Sequence, residues 1–268
     1  MRFELLASGS KGNCCIVQDE NTTIVIDCGS TKRYLKACFE ERELSLDEID
    51  AVLITHEHTD HISQVKLFAG IPMYSPVPLS VETLPVKPGK PFHIEHITVY
   101  PLALSHDAPH TVGYILETWK EKLVYITDTG YVKDAYLEKM KDADYIVLES
   151  NHDIGMLMKT MRPSYVKARI KSDSGHLCNE ASAQILEEII GPKTKRIVLA
   201  HISQEANTRE LALQTTMEML ESYQGNLNPK LSISAAGQFE PVKGGWEDEE
   251  NSLGTCYCVM RMERMAHH

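Results

Sequence analysis

The chain has 268 residues, 43% apolar and 24% charged, which fits one large domain or two small ones with a sizeable core. Its net charge of −11 excludes a globally cationic nucleic-acid coat, and no window approaches the ~18 uninterrupted apolar residues of a membrane span. The opening MRFELLASGS is too short in its apolar part for a secretory signal, and the seven cysteines, an odd number without CxxC pairs, fit reduced thiols. A cytoplasmic location is therefore expected.

Residues 3–28 read as a meander of strands. The first strand enters a glycine turn, SGSKGN over 8–13, where Ser10, Lys11 and Asn13 would stand beside free backbone amides. That chemistry suits a phosphate, although without a following helix it is no P-loop, and a plain connecting turn is the alternative. TIVIDCG then ends a strand at Asp27. TKRYLKACFEER places Leu35, Cys38 and Phe39 on one side of a helix, and SLDE is a capping box for a single turn.

AVLITHEHTDH, 51–61, is the densest signal in the chain. An apolar run leads directly into His56, His58, Asp60 and His61, a pattern that packing does not explain. Imidazole and carboxylate donors suit divalent Zn, Mn or Fe. His56 and His58, two apart in an extended turn, can reach one ion, whereas Asp60 and His61 lie further round and would address a second.

A second meander is expected over 91–126, with His93 and His96 solvated on a polar-alternating stretch. Further strands end on ligand-type side chains: His106 in YPLALSHDAPH, Asp128 in VYITDTG, His152 in YIVLESNHD and His201 in IVLAHIS. Asp128 alone on its strand end could bridge two ions. Glu149, Asn151 and His152 share one strand end; His152 is a candidate substrate contact, and Glu149 or Asn151 could equally be a hydrogen-bonding strut. Strands buried on both faces, with polar ends converging at their carboxyl edge, indicate one shared site.

KTMRPSYVKARIK, 159–171, carries five Lys/Arg and no acid, among them Lys159 and Arg162. It would guide a phosphate backbone, or be a solvated helix face, with Met156, Met158 and Met161 expected in packing. NEASAQILEEII has Asn179 as a candidate N-cap, an apolar face at Ile185, Leu186, Ile189 and Ile190, and a stop at Gly191-Pro192. EANTRELALQTTMEMLESYQG is a long amphipathic segment. Residues 1–240 are expected to form the catalytic domain and 241–268 an acidic, Gly-rich tail with a late strand near Cys256 and Cys258. The elements add up to a sandwich of sheets with helices outside.

LASGSKGN, THEHTDH, LSHDA, ITDTGY, ESNHD, SDSGH and LAHIS, in this order, resemble the metallo-β-lactamase-fold hydrolases, and within them the YycJ/WalJ group of bacterial proteins regarded as DNA exonucleases acting 5′ to 3′. The resemblance runs from about residue 3 to residue 210. It implies a four-layer αββα sandwich of the α/β (by some schemes α+β) class with a dinuclear site at one edge. His56, His58 and His106 would hold one metal, Asp60, His61 and His201 the other, and Asp128 would bridge them; Asp27 would orient the ligand turn. Asp60, Asp128 and His176 would serve catalysis, His176 in SDSGH as proton donor to the leaving alkoxide, since phosphodiesterases of this superfamily carry a non-ligand His in that interval. The alternative for His176 is a structural residue at the start of the 179–190 helix.

The expected function is metal-dependent phosphodiester hydrolysis, with nucleic acid, DNA before RNA, as substrate. No GxSxG nucleophile motif is present, and the 73-residue gap from Asp128 to His201 leaves no room for the inserted domain of β-CASP nucleases. A small-molecule or cyclic-nucleotide phosphodiesterase is one alternative, and a non-catalytic regulatory protein stiffened by its metals is another. No oligomeric state is legible in the sequence.

Overall fold

The computed structural model describes residues 1–246 together with the backbone of 257 and 258. In chain order the elements are β1 (Arg2–Ala7), β2 (Cys14–Asp19), β3 (Thr22–Ile26), α1 (Lys32–Glu41), β4 (Ala51–Leu53), α2 (Thr59–Ile62), β5 (Met73–Ser75), β6 (Leu84–Pro85), β7 (Phe92–Ile94), β8 (Ile97–Ala103), β9 (Val112–Glu117) and β10 (Lys122–Ile126). There follow α3 (Asp134–Met140), β11 (Tyr145–Glu149), α4 (Ile154–Lys159), α5 (Ser164–Ile170), α6 (Asn179–Ile189), β12 (Arg196–Ala200), α7 (Arg209–Ser222), β13 (Ser232–Ala235), β14 (Val242–Gly244) and β15 (Tyr257–Cys258).

Two mixed sheets result, ordered β14-β1-β2-β3-β4-β5-β6 and β15-β13-β12-β11-β10-β9-β8-β7. Both expected meanders form, β1–β2–β3 and β7–β8–β9–β10, each antiparallel throughout. Their inner faces share one core, in which Phe3, Val17, Ile24 and Leu53 of the first sheet meet Val99, Tyr114, Tyr125 and Val147 of the second. A second apolar layer seats α6 and α7 on the outer face of the second sheet through Leu186, Ile189, Leu213 and Leu220. A third seats α1 on the first sheet through Leu35, Cys38 and Phe39, the three residues expected on that side. Burial on both faces explains why β10, β11 and β12 are almost continuously apolar. The architecture is the expected αββα sandwich. Among the described residues no helix is long and apolar enough to cross a membrane.

Several local expectations need correction. The first sheet continues past residue 240, because Val242–Gly244 pairs antiparallel with β1. The expected late strand, by contrast, is present at Tyr257–Cys258, which pairs with β13, while Cys256 lies outside the described residues. Cys178, not Asn179, is the N-cap of α6; the Asn179 amide is buried in a polar network with Ser150 and Asn207. The long helix starts only at Arg209, where Thr208 caps it, and ends at Ser222. His96 is not merely solvated: its Nε2 lies 2.7 Å from Asp19 Oδ2.

Candidate metal centre

β3 and β4 run parallel, as do β10, β11 and β12, so the carboxyl ends of each set open on one edge. At that edge Asp27, Asp128 and His201 all take left-handed backbone angles, with φ of 58°, 57° and 54°. For residues other than glycine such angles are uncommon, and here each turns a side chain out of its strand line. α2 follows β4 within a few residues, and its N-terminal turn carries His58, Asp60 and His61. Gly29 lets the strap after β3 lie against this turn, since a Cβ at Gly29 would collide with the Asp60 carbonyl.

The structure brings all seven expected ligands together. Donor atoms of His56, His58 and His106 lie within 4.8 Å of one another, as do those of Asp60, His61 and His201. Asp128 stands between the two groups: Oδ2 is 3.2 Å from His61 Nε2, and Oδ1 is 3.4 Å from His201 Nε2 and 3.9 Å from His106 Nε2.

Behind the ligands a layer of acceptors fixes the imidazoles. Asp27 Oδ2 lies 2.7 Å from His61 Nδ1, and the same carboxylate accepts from the Thr55 amide and hydroxyl, both at 2.8 Å. Thr55 Oγ1, its proton given to Asp27, accepts from His56 Nδ1 at 3.0 Å. The Gly175 carbonyl accepts from His106 Nδ1 at 3.1 Å, and Glu149 Oε1 from His201 Nδ1 at 2.9 Å. With Nδ1 of four rings committed as donor, the inward Nε2 of each carries the lone pair whenever the ring is neutral, as a metal ligand must be. His58 turns Nδ1 inward instead, 3.3 Å from His106 Nε2, while its Nε2 lies 3.5 Å from Asp107 Oδ1.

These residues fit divalent cations. His56 Nε2, His201 Nε2 and Asp128 Oδ2 are buried with no hydrogen-bond partner. Asp128 Oδ2 is near His61 but without hydrogen-bond geometry, so proximity there is not satisfaction. Orphaned buried lone pairs facing one another are costly unless a cation sits among them. The charges of the protein alone treat the two groups differently. Burial depresses the His61 pKa, yet the Asp27 and Asp128 carboxylates outweigh it and raise it well above the usual value. His201 is likewise raised to about 9 by Asp128 and Glu149 against the effect of burial. Burial and the neighbouring His61 charge push His56 down. Positive charge is thus favoured at His61 and His201 and disfavoured at His56 and His106, where burial lowers the pKa of both rings.

Glu149 forms a further group with Asp128, His176 and His201. Its oxygens are fully used: Oε1 accepts from His176 Nδ1 at 2.7 Å and from His201, and Oε2 from the amides of Thr129 at 2.9 Å and Leu177 at 3.2 Å. It is a strut, one of the alternatives the sequence left open. Despite burial, His176 and His201 hold its carboxyl down to about 2. Its double role could not be read from sequence, because His176 arrives from a loop after α5. Gly130 permits that approach, since a Cβ there would meet the carbonyls of Ser172 and Asp173.

The substrate-contact expectations fare unevenly. Ser10 and Lys11 are exposed on the turn beside the ligands. The turn is no cradle of free amides, however: the N–H groups of Gly9, Lys11, Gly12 and Asn13 are spent on Asn13, Gln238, Gly9 and Asp60. Asn13 is buried, its Nδ2 2.9 Å from His61 Nε2 and 3.4 Å from Asp60 Oδ2, which makes it part of the ligand support. His152 is buried too, and burial pulls its pKa to about 4. Lys159 ends α4 in solvent, while Arg162 sits in the turn to α5 with Nε 2.8 Å from Glu205. Met158 and Met161, expected in packing, are 55% and 99% exposed.

A family model described as Beta-lactamase superfamily domain matches residues 22–202. The chain is similar to the exodeoxyribonuclease YycJ of Bacillus anthracis, 34% identical over 236 residues that cover 82% of this chain and 89% of that protein. It is similar also to the exodeoxyribonuclease WalJ of Streptococcus pneumoniae, 32% identical over 237 residues covering 82% and 88%. Among solved structures, the metallo-beta-lactamase fold protein YhfI of Bacillus subtilis superposes with a TM-score of 0.68 at 14% identity, over 90% of this chain and 98% of that one, a likeness of fold.

Proposed function

The chain belongs to the beta-lactamase superfamily and is a metallo-hydrolase of that fold, and from this premise we propose that it hydrolyses phosphodiester bonds of DNA from an end, with two divalent cations. One observation carries the reading: five inward imidazole nitrogens and the Asp128 carboxylate face one another, with three of their buried atoms lacking a hydrogen-bond partner. The relatives' names supply the polynucleotide, and the resemblance supplies the 5′ to 3′ direction.

His56, His58 and His106 would hold one cation and Asp60, His61 and His201 the other, with Asp128 between. When bound, such a pair ionises water near neutral pH and balances charge on the phosphoryl oxygens. Zn or Mn suits this donor set, and Fe is compatible with it. The chain's own groups do the positioning. Asp27 and Thr55 keep His61 and His56 in the tautomer that presents Nε2. Glu149 does so for His201 and also accepts from His176 Nδ1, so that when that partly exposed ring is doubly protonated its Nε2–H is the proton passed to the leaving oxygen. His176 is therefore the proposed proton donor. Ser10 and Lys11 flank the ligand turn where a phosphate would enter.

The test is to load the protein separately with Mn and Zn and offer end-labelled duplex DNA, single-stranded DNA, RNA and bis(p-nitrophenyl) phosphate. Stepwise shortening of DNA from the 5′ end is expected. Turnover of the chromogenic diester alone would replace the reading with a small-molecule phosphodiesterase. Metal-loaded protein that turns over nothing would leave a metal-stabilised regulatory protein.

A further inference from the structure

Eight large apolar side chains are exposed among the described residues, and four of them, Ile154, Met158, Met161 and Tyr165, fall on α4 and α5 or the turn between. Tyr165 is 76% exposed. These are not residues that failed to find a core. The helix pair already buries its inner side, where Leu157, Val166 and Ile170 pack with Ala206. The outer side is a second apolar surface, from Ile154 at 38% exposed to Met161 at 99%.

The same stretch is cationic in an anionic chain. From Ile154 to Ser172 there is no acid, while 159–171 holds five Lys/Arg against a net charge of −11 overall. Three of the five are engaged: Lys167 Nζ donates to the Met158 carbonyl at 2.8 Å, Arg162 pairs with Glu205, and Arg169 with Asp107. Lys159 and Lys171 have no ion pair among the described residues. The face also abuts the metal centre. Arg169 Nη1 lies 3.2 Å from Asp107 Oδ2, Asp107 Oδ1 lies 3.2 Å from His106 Nε2, and the Ile170 carbonyl accepts from the His176 amide.

We propose that the outer face of α4 and α5 is a docking surface for an unpaired nucleic-acid strand, with bases on Tyr165 and Met161 and phosphates on Lys159 and Lys171. The inference rests on the phosphodiesterase reading and deepens it, by saying how a strand is held as it reaches the metals. Flat or polarisable side chains interleaved with free ammonium groups match a polymer that alternates base faces with phosphates. A duplex offers the phosphates but hides the faces of its bases. An acidic protein partner would need the cations and leave the stacking groups idle.

The full-length, metal-loaded protein serves for the test, with a fluorescent phosphorothioate single strand that resists cleavage, read by anisotropy at several salt concentrations. Tyr165→Ala with Met161→Ala should weaken binding about tenfold or more, and Tyr165→Phe, which keeps the ring, should restore most of it. Lys159→Gln with Lys171→Gln should make the dependence of log affinity on log salt less steep by about 1.4. For both double variants the ratio of single-strand turnover to bis(p-nitrophenyl) phosphate turnover should fall. Wild-type affinity in both double variants overturns the inference, as does an equal loss of the two turnovers. Normal DNA binding with lost binding to phosphatidylglycerol vesicles overturns it in favour of a membrane surface. A wild-type protein that binds DNA through this face yet cleaves neither substrate refutes the hydrolytic reading and leaves the docking surface standing.

Discussion

Glu149 Oε1 lies 2.7 Å from His176 Nδ1, and the same oxygen lies 2.9 Å from His201 Nδ1. One buried carboxylate thereby orients a proposed metal ligand and the proposed proton donor together. Exchanging it for glutamine keeps the shape but leaves a single acceptor for four donors. Glu149→Gln should weaken metal binding about 10- to 100-fold and lower kcat beyond that loss. Metal competition against a chromophoric chelator, beside turnover at saturating metal, separates the two effects; normal metal affinity would contradict the shared role.

His176 itself donates no proposed metal bond. His176→Ala should lower kcat by about 10²- to 10⁴-fold with metal content intact by elemental analysis. Loss of metal in this variant would return His176 to a structural role.

Asp27 answers three donors, the Thr55 amide and hydroxyl and His61 Nδ1, inside the sandwich. An asparagine side chain in its place could accept on one oxygen only, so Asp27→Asn should cost about 2 kcal/mol or more of stability even in chelated protein. Thermal or denaturant unfolding in EDTA reads this directly. A variant as stable as the parent would mean that the network does not hold the ligand turn.

Withdrawal of metal leaves buried lone pairs facing one another, so chelated protein should unfold at lower temperature than loaded protein. Restoring Mn or Zn to about a hundred times its dissociation constant should return about 2.7 kcal/mol. Calorimetry with and without added ion checks this, and coincident transitions would argue that no cation occupies the cluster.

How much of this is legible in the sequence follows a physical division. A ligand that ends a buried strand announces itself, because an apolar run cannot continue through a polar residue without a reason. His56, Asp128 and His201 are visible for that reason, and with them the edge where the site lies. Groups whose work depends on what arrives from elsewhere are not. Asn13 looks like part of a phosphate turn, but its amide reaches Asp60 and His61 across the sheet edge. Backbone amides of 9–13 look free because their acceptors, Gln238 among them, are distant in sequence. Met158 and Met161 look like packing because methionine at helical spacing usually is, and only the placement of Leu157 and Ile170 shows that the inward side is already filled.

The left-handed turns at Asp27, Asp128 and His201 carry a consequence for anyone who engineers this scaffold. Glycine at any of them would relax a conformation that costs an ordinary side chain of order 1 kcal/mol or more. At Asp27 that gain is smaller than the three hydrogen bonds glycine would forfeit, and at Asp128 and His201 it would come with the loss of proposed metal ligands, so a screen scored on heat resistance of loaded protein should retain all three side chains. The strained corners of this chain are held by the same side chains that its chemistry would use, so robustness and turnover select for them together.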